Sequence, residues 1–223
     1  MKIIAIIASP HGMQGNTGRL LKEVLSGVEE SDAEIEILNL KSLNVQPCVG
    51  CDVCHKTGIC PIKDDYESIK EKLLACDGYI LASPNYIFNV TAQMKALFDR
   101  CNGLLHCQAL EHKYSALVET SGGGGDDAVI KYMTHFVNCT GAWSVGGVGS
   151  LISGIRTFPD EGRLYNKARK LGRDLFQAIA EKQTFPEQTE AISAFGSRMS
   201  GLVEAMKDYW VFERDYWAQK ESR

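Results

Sequence analysis

Nothing in this sequence approaches the roughly 20 consecutive apolar residues that a bilayer-spanning helix needs, so no membrane partner is expected. A basic excess is missing too: 24 lysines and arginines face 28 aspartates and glutamates, leaving a formal net charge of −4 over 223 residues. Without a positive field, no nucleic-acid partner is expected. No repeat, linker or low-complexity segment breaks the chain. The first apolar run, in MKIIAIIASP, lasts only about six residues and leads straight into a glycine-rich loop, so it reads as a buried strand and not as a secretory signal. A cytoplasmic location is the expectation. No nucleophile–histidine–carboxylate arrangement is legible, so chemistry would come from cofactors that the chain positions. Cysteine is not scarce: there are eight. In a reducing compartment, clustered cysteines serve metal or redox chemistry more often than disulfides.

Short apolar runs alternate with helical patterns. Strands are expected at Lys2–Ala8, Glu34–Leu40, Gly78–Pro84, Tyr114–Ser121 and Ala142–Ser150. Between them the 3.6-residue period predicts helices over Asn16–Glu30, after Asp64 and Asp65 with Ile69, Leu73 and Leu74 inward, over Thr91–Leu104 and over Asp127–Cys139. A further helix is expected at Glu161–Glu181. Five such alternations predict an α/β fold, a doubly wound five-stranded parallel sheet with helices on both faces. Residues 1–182 would form this domain, and residues 183–223 a helical C-terminal extension. Its aromatic residues, Tyr209, Trp210, Phe212, Tyr216 and Trp217, suit an oligomer interface or a helix packed on its own domain equally well.

Ligands of such sheets bind beyond the carboxyl ends of the strands, and three loops there carry unusual chemistry. In SPHGMQGNTGRL (Ser9–Leu20), hydroxyl and amide side chains accompany glycines at a helix start, as a phosphate cradle requires. The loop lacks the Gly-Lys-Ser/Thr ending of a Walker A motif and is not a GxGxxG fingerprint; a solvated loop with a helix cap is the plainer alternative. In SPNYIFNVTAQMKALFDR (Ser83–Arg100), Tyr86 and Phe88 could flank a flat ring, or they could be core residues. In ETSGGGGDD (Glu119–Asp127), four consecutive glycines permit close backbone approach to a ligand, or a loose turn.

The combination of S-P-x-x-x-x-G-N-T at Ser9–Thr17, S-P-x-Y at Ser83–Tyr86 and QMKALFDR at Gln93–Arg100 resembles the flavodoxin-like flavoproteins of the NAD(P)H-dependent FMN reductase superfamily. The resemblance covers roughly residues 1–151 and implies a flavodoxin-like fold with FMN as cofactor. It implies that Ser9, Asn16 and Thr17 bind the phosphate, joined by His11 where many relatives have arginine. It implies that Pro84, Asn85, Tyr86, Ile87 and Phe88, with Thr120, Ser121, Gly122 and Gly123, contact the flavin ring.

Half of the cysteines fall in QPCVGCDVCHKTGICPIKDD (residues 46–65), where Cys48, Cys51, Cys54 and Cys60 form C-x2-C-x2-C-x5-C. Three thiolates at three-residue intervals can wrap one face of a cubane and the fourth can close it. Bacterial ferredoxins send their fourth cysteine to a second cluster, but no second run exists here. One [4Fe–4S] cluster is the first reading; free or catalytic thiols, a zinc site and a disulfide pair stay open. The spacing is also similar to the iron-sulfur flavoprotein branch of the superfamily. That resemblance implies a cluster held by these four residues, near FMN in a homo-oligomer, with a ferredoxin-like electron donor. Cys76, Cys101, Cys107 and Cys139 read as small buried hydrophobes. His55 reads as a surface residue or a hydrogen bond to the cluster, while His106, His112 and His135 show no ligand spacing. Asp64 and Asp65 read as helix caps. The expected function is therefore electron transfer between a [4Fe–4S] cluster and FMN. A cluster-free NAD(P)H-dependent FMN or quinone reductase and a thiol- or metal-based redox sensor are the alternatives.

Overall fold

The run KIIAII becomes β1 (Lys2–Ile7), and from Ile3 onward each of its side chains is buried. A strand covered on both faces has no solvent side, which is why it reads as continuously apolar. A computed structural model gives the fold and describes residues 1–29, 33–154 and 156–222. A single 3-10 turn, Gly12–Gln14, leads from β1 into α1 (Asn16–Glu29). The expected end of that helix, Glu30, lies outside the described residues. Then come β2 (Glu34–Asn39), a short helix α2 (Val53–Thr57), α3 (Tyr66–Ala75), β3 (Gly78–Pro84), α4 (Ala92–Arg100) and α5 (Asn102–His106). The chain continues through β4 (Tyr114–Ser121), α6 (Asp126–Cys139), β5 (Trp143–Leu151) and α7 (Glu161–Glu181), and ends with α8 (Pro186–Ala205) and α9 (Val211–Glu221).

All five strands are parallel, in the order β2-β1-β3-β4-β5. The order reverses at β1, so β1 and β3 leave the sheet in opposite directions and open a crevice at their carboxyl ends. Helices α1 and α7 cover one face, with Leu20, Leu21, Val24, Leu171 and Leu175 packed on Ile3, Ala5 and Ile80. The other face takes α3, α4 and α6 through Ile69, Leu73, Met94, Leu97, Val129 and Met133. Glycine lets α1 and α7 touch: a Cβ at Gly172 would stand 2.0 Å from the Val24 carbonyl.

Two expectations need correction. The helix expected over Thr91–Leu104 is two helices, because the Cys101 N–H turns to the Phe98 carbonyl and its ψ opens to 15°. Thr91 caps the first, its hydroxyl oxygen accepting from the Met94 N–H at 3.4 Å. Leu74 is 41% exposed, and Tyr66 joins Ile69 and Leu73 on the inward stripe instead. The loop 46–65 carries the short helix α2, entered through left-handed Asp52 and closed by left-handed Gly58. Beyond residue 183 both helices pack on the chain's own body, α8 against α5 and α6, and α9 against α2. Among the described residues no helix is long and apolar enough to cross a membrane.

Candidate functional site

The first three loops meet at one rim. The 9–18 loop is held by its own polar groups: Ser9 Oγ accepts from the His11 N–H at 3.2 Å, and the Ser9 carbonyl accepts from the Gly12 N–H at 2.8 Å. Ser9 and Thr17 are buried, whereas His11 is exposed. Thr17 and Thr120 share a buried hydroxyl–hydroxyl hydrogen bond of 2.7 Å, which fastens the first loop to the third. Asn16 leaves its Oδ1 buried with no protein partner. The second loop folds back at Tyr86–Asn89, where N–H groups and carbonyls are exchanged in both directions, and Ile87 and Phe88 adopt left-handed φ of 53° and 59°. The structure thereby rejects the core reading of its aromatics. Tyr86, Ile87 and Phe88 are 49%, 92% and 72% exposed.

The second and third loops are also joined. The Asn85 N–H donates to the Thr120 carbonyl at 2.9 Å, and Asn85 Nδ2 donates to the Gly124 carbonyl at 3.0 Å. Ser121 Oγ accepts from the Gly124 N–H at 3.2 Å, so the glycine loop is tied at its start. Gly122 and Gly123 have open space where a Cβ would stand. The rim thus offers the helix N-terminus of α1, a hydroxyl pair, exposed backbone and two aromatic side chains. Those features suit a phosphate at one end and a flat ring at the other. The residues fit FMN.

One group at this rim had no assigned role. Glu119, the residue before Thr120, is fully buried, and neither of its carboxyl oxygens has a protein partner. Its Oε2 lies 2.9 Å from where a Cβ on Gly149 would stand, and the Cβ of Asp126 lies 3.2 Å from the same point. Burial, followed by the neighbouring Asp126, pushes the Glu119 carboxyl up to about 8. A signal was present: one acid in YSALVETS, a strand buried along its whole length.

The cysteine loop is closed at its neck by acids. Asp65 Oδ2 accepts from the Asn44 N–H at 2.7 Å, and Asp64 Oδ2 accepts from the Gln46 N–H at 2.8 Å. Arg100 Nη1 donates to Asp64 Oδ2 at 2.7 Å and to the Gln46 carbonyl at 2.9 Å, and its Nη2 donates to Asp64 Oδ1 at 3.1 Å. Both side chains of this pair are fully buried. Burial pushes the Asp64 carboxyl up, but the hydrogen bonds from Arg100 outweigh it and hold it below its ordinary value. The cap expectation therefore holds for Asp64 only as a side role, its Oδ1 accepting from the Tyr66 N–H at 3.0 Å. Asp65 makes no cap bond to α3.

Within this frame Cys48 and Cys51 are exposed, Cys54 and Cys60 are partly buried, and all eight cysteines are free thiols. The other four are buried, as expected. The Cys60 N–H donates to Glu67 Oε1 at 2.7 Å. Burial, then Glu213 and the other three loop cysteines, pushes the Cys54 thiol up to about 11. Four thiols within electrostatic reach of one another, on a loop that turns through left-handed Gly50 and Gly58, form a donor set that fits an iron-sulfur cluster.

The surface reading of His55 fails. His55 is 3% exposed, its ring stacks on His106 at 4.7 Å, and Trp210 covers both rings at 4.6 and 5.2 Å. Glu213, itself fully buried, stands 2.5 Å from His55 Nδ1 and 3.0 Å from His106 Nδ1 through its two separate oxygens. Sequence spacing could not have found this group, because its members lie 158 and 107 positions apart.

Comparison with known proteins agrees with this geometry. The family model described as NADPH-dependent FMN reductase matches residues 1–155. An iron-sulfur flavoprotein of Archaeoglobus fulgidus is 31% identical over 99% of this chain and 99% of its own. One from Methanocaldococcus jannaschii is 38% identical over 61% of this chain and 71% of its own. Among solved structures, the NAD(P)H:quinone oxidoreductase of Methanothermobacter marburgensis superposes with a TM-score of 0.61 at 15% identity, covering 78% of this chain and 96% of that one. At that identity the likeness shows the fold alone. A parallel sheet with a phosphate-type loop after β1, together with full-length similarity to iron-sulfur flavoproteins, leads to one assignment: the chain belongs to the NADPH-dependent FMN reductase family, in its iron-sulfur flavoprotein branch, and its function is flavin-linked redox chemistry.

Proposed function

We propose that this chain is an electron-transfer flavoprotein that passes electrons between one [4Fe–4S] cluster and FMN. The observation that carries the reading is the cysteine loop itself: four free thiols on one short segment, braced at its neck by a buried ion pair. FMN supplies one- and two-electron chemistry and the cluster one-electron chemistry, so together they convert between pairs and single electrons. Ser9, Asn16 and Thr17 would hold the phosphate with the N–H groups opening α1, and exposed His11 would flank it. Pro84, Asn85, Tyr86, Ile87 and Phe88 would lie along the ring, as would Thr120, Ser121, Gly122 and Gly123. Cys48, Cys51, Cys54 and Cys60 would hold the cluster.

The two ends of α4 support an oligomer. Its N-terminus is at the rim and Arg100, at its other end, braces the cysteine loop. At 1.5 Å per residue, nine helical residues set these about 13 Å apart in one chain. A second copy that brings its cysteine loop to the exposed Tyr86–Phe88 tip would shorten the path, so we assign the working form as a homo-oligomer. A ferredoxin-like protein is the proposed donor. The deciding experiment is iron, acid-labile sulfide and flavin per chain on protein purified without oxygen. About four iron, four sulfide and one FMN would support the relay, and one FMN without iron or sulfide would sink it. The match to the NADPH-dependent FMN reductase family favours a second reading, direct hydride transfer from NAD(P)H to the flavin. Rapid flavin bleaching by NADPH alone would select it.

A further inference from the structure

The C-terminal helix has a closer relation to the cysteine loop than to any other part of the fold. Phe212 packs on Gly58, where a Cβ would stand 2.5 Å from the ring. The Lys56 ammonium sits 3.7 Å over the Tyr209 ring, and Trp217 Nε1 donates to the His106 carbonyl at 2.9 Å. These contacts wrap α9 around α2, the helix that carries Cys54, and they enclose the Glu213 carboxylate with no solvent exposure.

A carboxylate without water is costly unless each oxygen is matched by a donor. Burial pushes the Glu213 carboxyl up, and the hydrogen bonds from His106 and His55 outweigh it, so the group is held below its ordinary value and is ionised at neutral pH. An ionised carboxylate only accepts, which makes both Nδ1 atoms the donors. Each imidazole serves a different oxygen, so both carboxylate oxygens are matched by a donor. Asp52, whose Oδ1 is 3.7 Å from His55 Nε2, is half exposed and screened by water. Glu213, by contrast, is fully buried and hydrogen-bonded to His55, the residue that follows Cys54 in the chain.

We infer that Glu213 is a positioning residue of the iron-sulfur site: through His55 it fixes α2 and Cys54, and its buried negative charge lowers the reduction potential of the cluster those cysteines hold. A fixed negative charge in a poorly screened setting disfavours the added electron. The inference rests on the cluster reading above. It extends that reading by giving the C-terminal helix an electrostatic role in the same chain.

The test uses full-length protein purified without oxygen, as wild type, Glu213→Gln and Glu213→Asp, with iron content and an EPR-monitored redox titration. Glu213→Gln keeps the shape and removes the charge. It is expected to hold the wild-type iron complement, to shift the cluster potential upward and to leave the flavin potential in place. An unmoved cluster potential in an iron-replete Glu213→Gln protein overturns the inference. If that variant fails to fold or loads no iron, Glu213→Asp decides. It keeps the charge and is expected at the wild-type potential, and an upward shift there would mean that packing, not charge, sets the value. Wild-type protein without iron or sulfide would instead defeat the cluster reading itself, and this inference with it.

Discussion

Replacing Glu119 by glutamine should change how stability depends on pH. Both Glu119 oxygens are buried and unmatched, and Asp126 lies beside them. The carboxyl therefore keeps its proton to about 8 in the folded chain, against an ordinary value of 4.5. Below 4.5 folded and unfolded chains both carry the proton, and pH has no effect through this group. Between 4.5 and about 8 the folded chain holds a proton that the unfolded chain has released, so stability falls as pH rises. At about 1.4 kcal/mol per unit, the loss has a ceiling of about 5 kcal/mol. Glu119→Gln keeps the volume and removes the titration. Urea unfolding of both proteins at equal FMN concentration, from pH 5 to pH 8.5, should show the variant's relative stability rising by several kcal/mol toward alkaline pH. Parallel stability curves across that range would refute the argument that Glu119 is a protonated buried acid.

Other outcomes follow from the rest of the site. Gly123→Ala has open space for its methyl group in the chain alone, so its unfolding midpoint without FMN should match wild type. FMN affinity by fluorescence titration should nevertheless drop about tenfold or more if the loop lies against the ring, each decade being about 1.4 kcal/mol. Cys51→Ala should abolish cluster absorbance and leave FMN bound; loss of both would show that the cysteine loop also builds the flavin site. Arg100→Met strands a buried carboxylate at Asp64 and should cost about 3–5 kcal/mol in urea unfolding at pH 7. Because the Asp64 carboxyl is held below its ordinary 3.8, that stabilisation is complete above 3.8 and is lost as pH falls through the lowered value. The gap between wild type and Arg100→Met should therefore narrow in acid.

Hydrophobic periodicity is a local property, and the sequence by itself determined what depends on it. Continuous apolar runs such as KIIAII mark strands covered on both faces, and their alternation with helical patterns predicts the parallel sheet that is found. The same locality made the three loops and the cysteine spacing legible, since each is one short segment placed at the end of one element. Tertiary structure alone decided which residues were deprived of water and by whom they were compensated. Glu119 reads as one more polar residue until β4 is seen buried along its whole length. Asp64 reads as a cap until Arg100, 36 positions later, arrives to pair with it. His55 reads as a surface residue until α9 brings Glu213 and Trp210 across from the far end of the chain. The energies of these groups are set by desolvation and by partners distant in sequence, and neither is encoded in any local window.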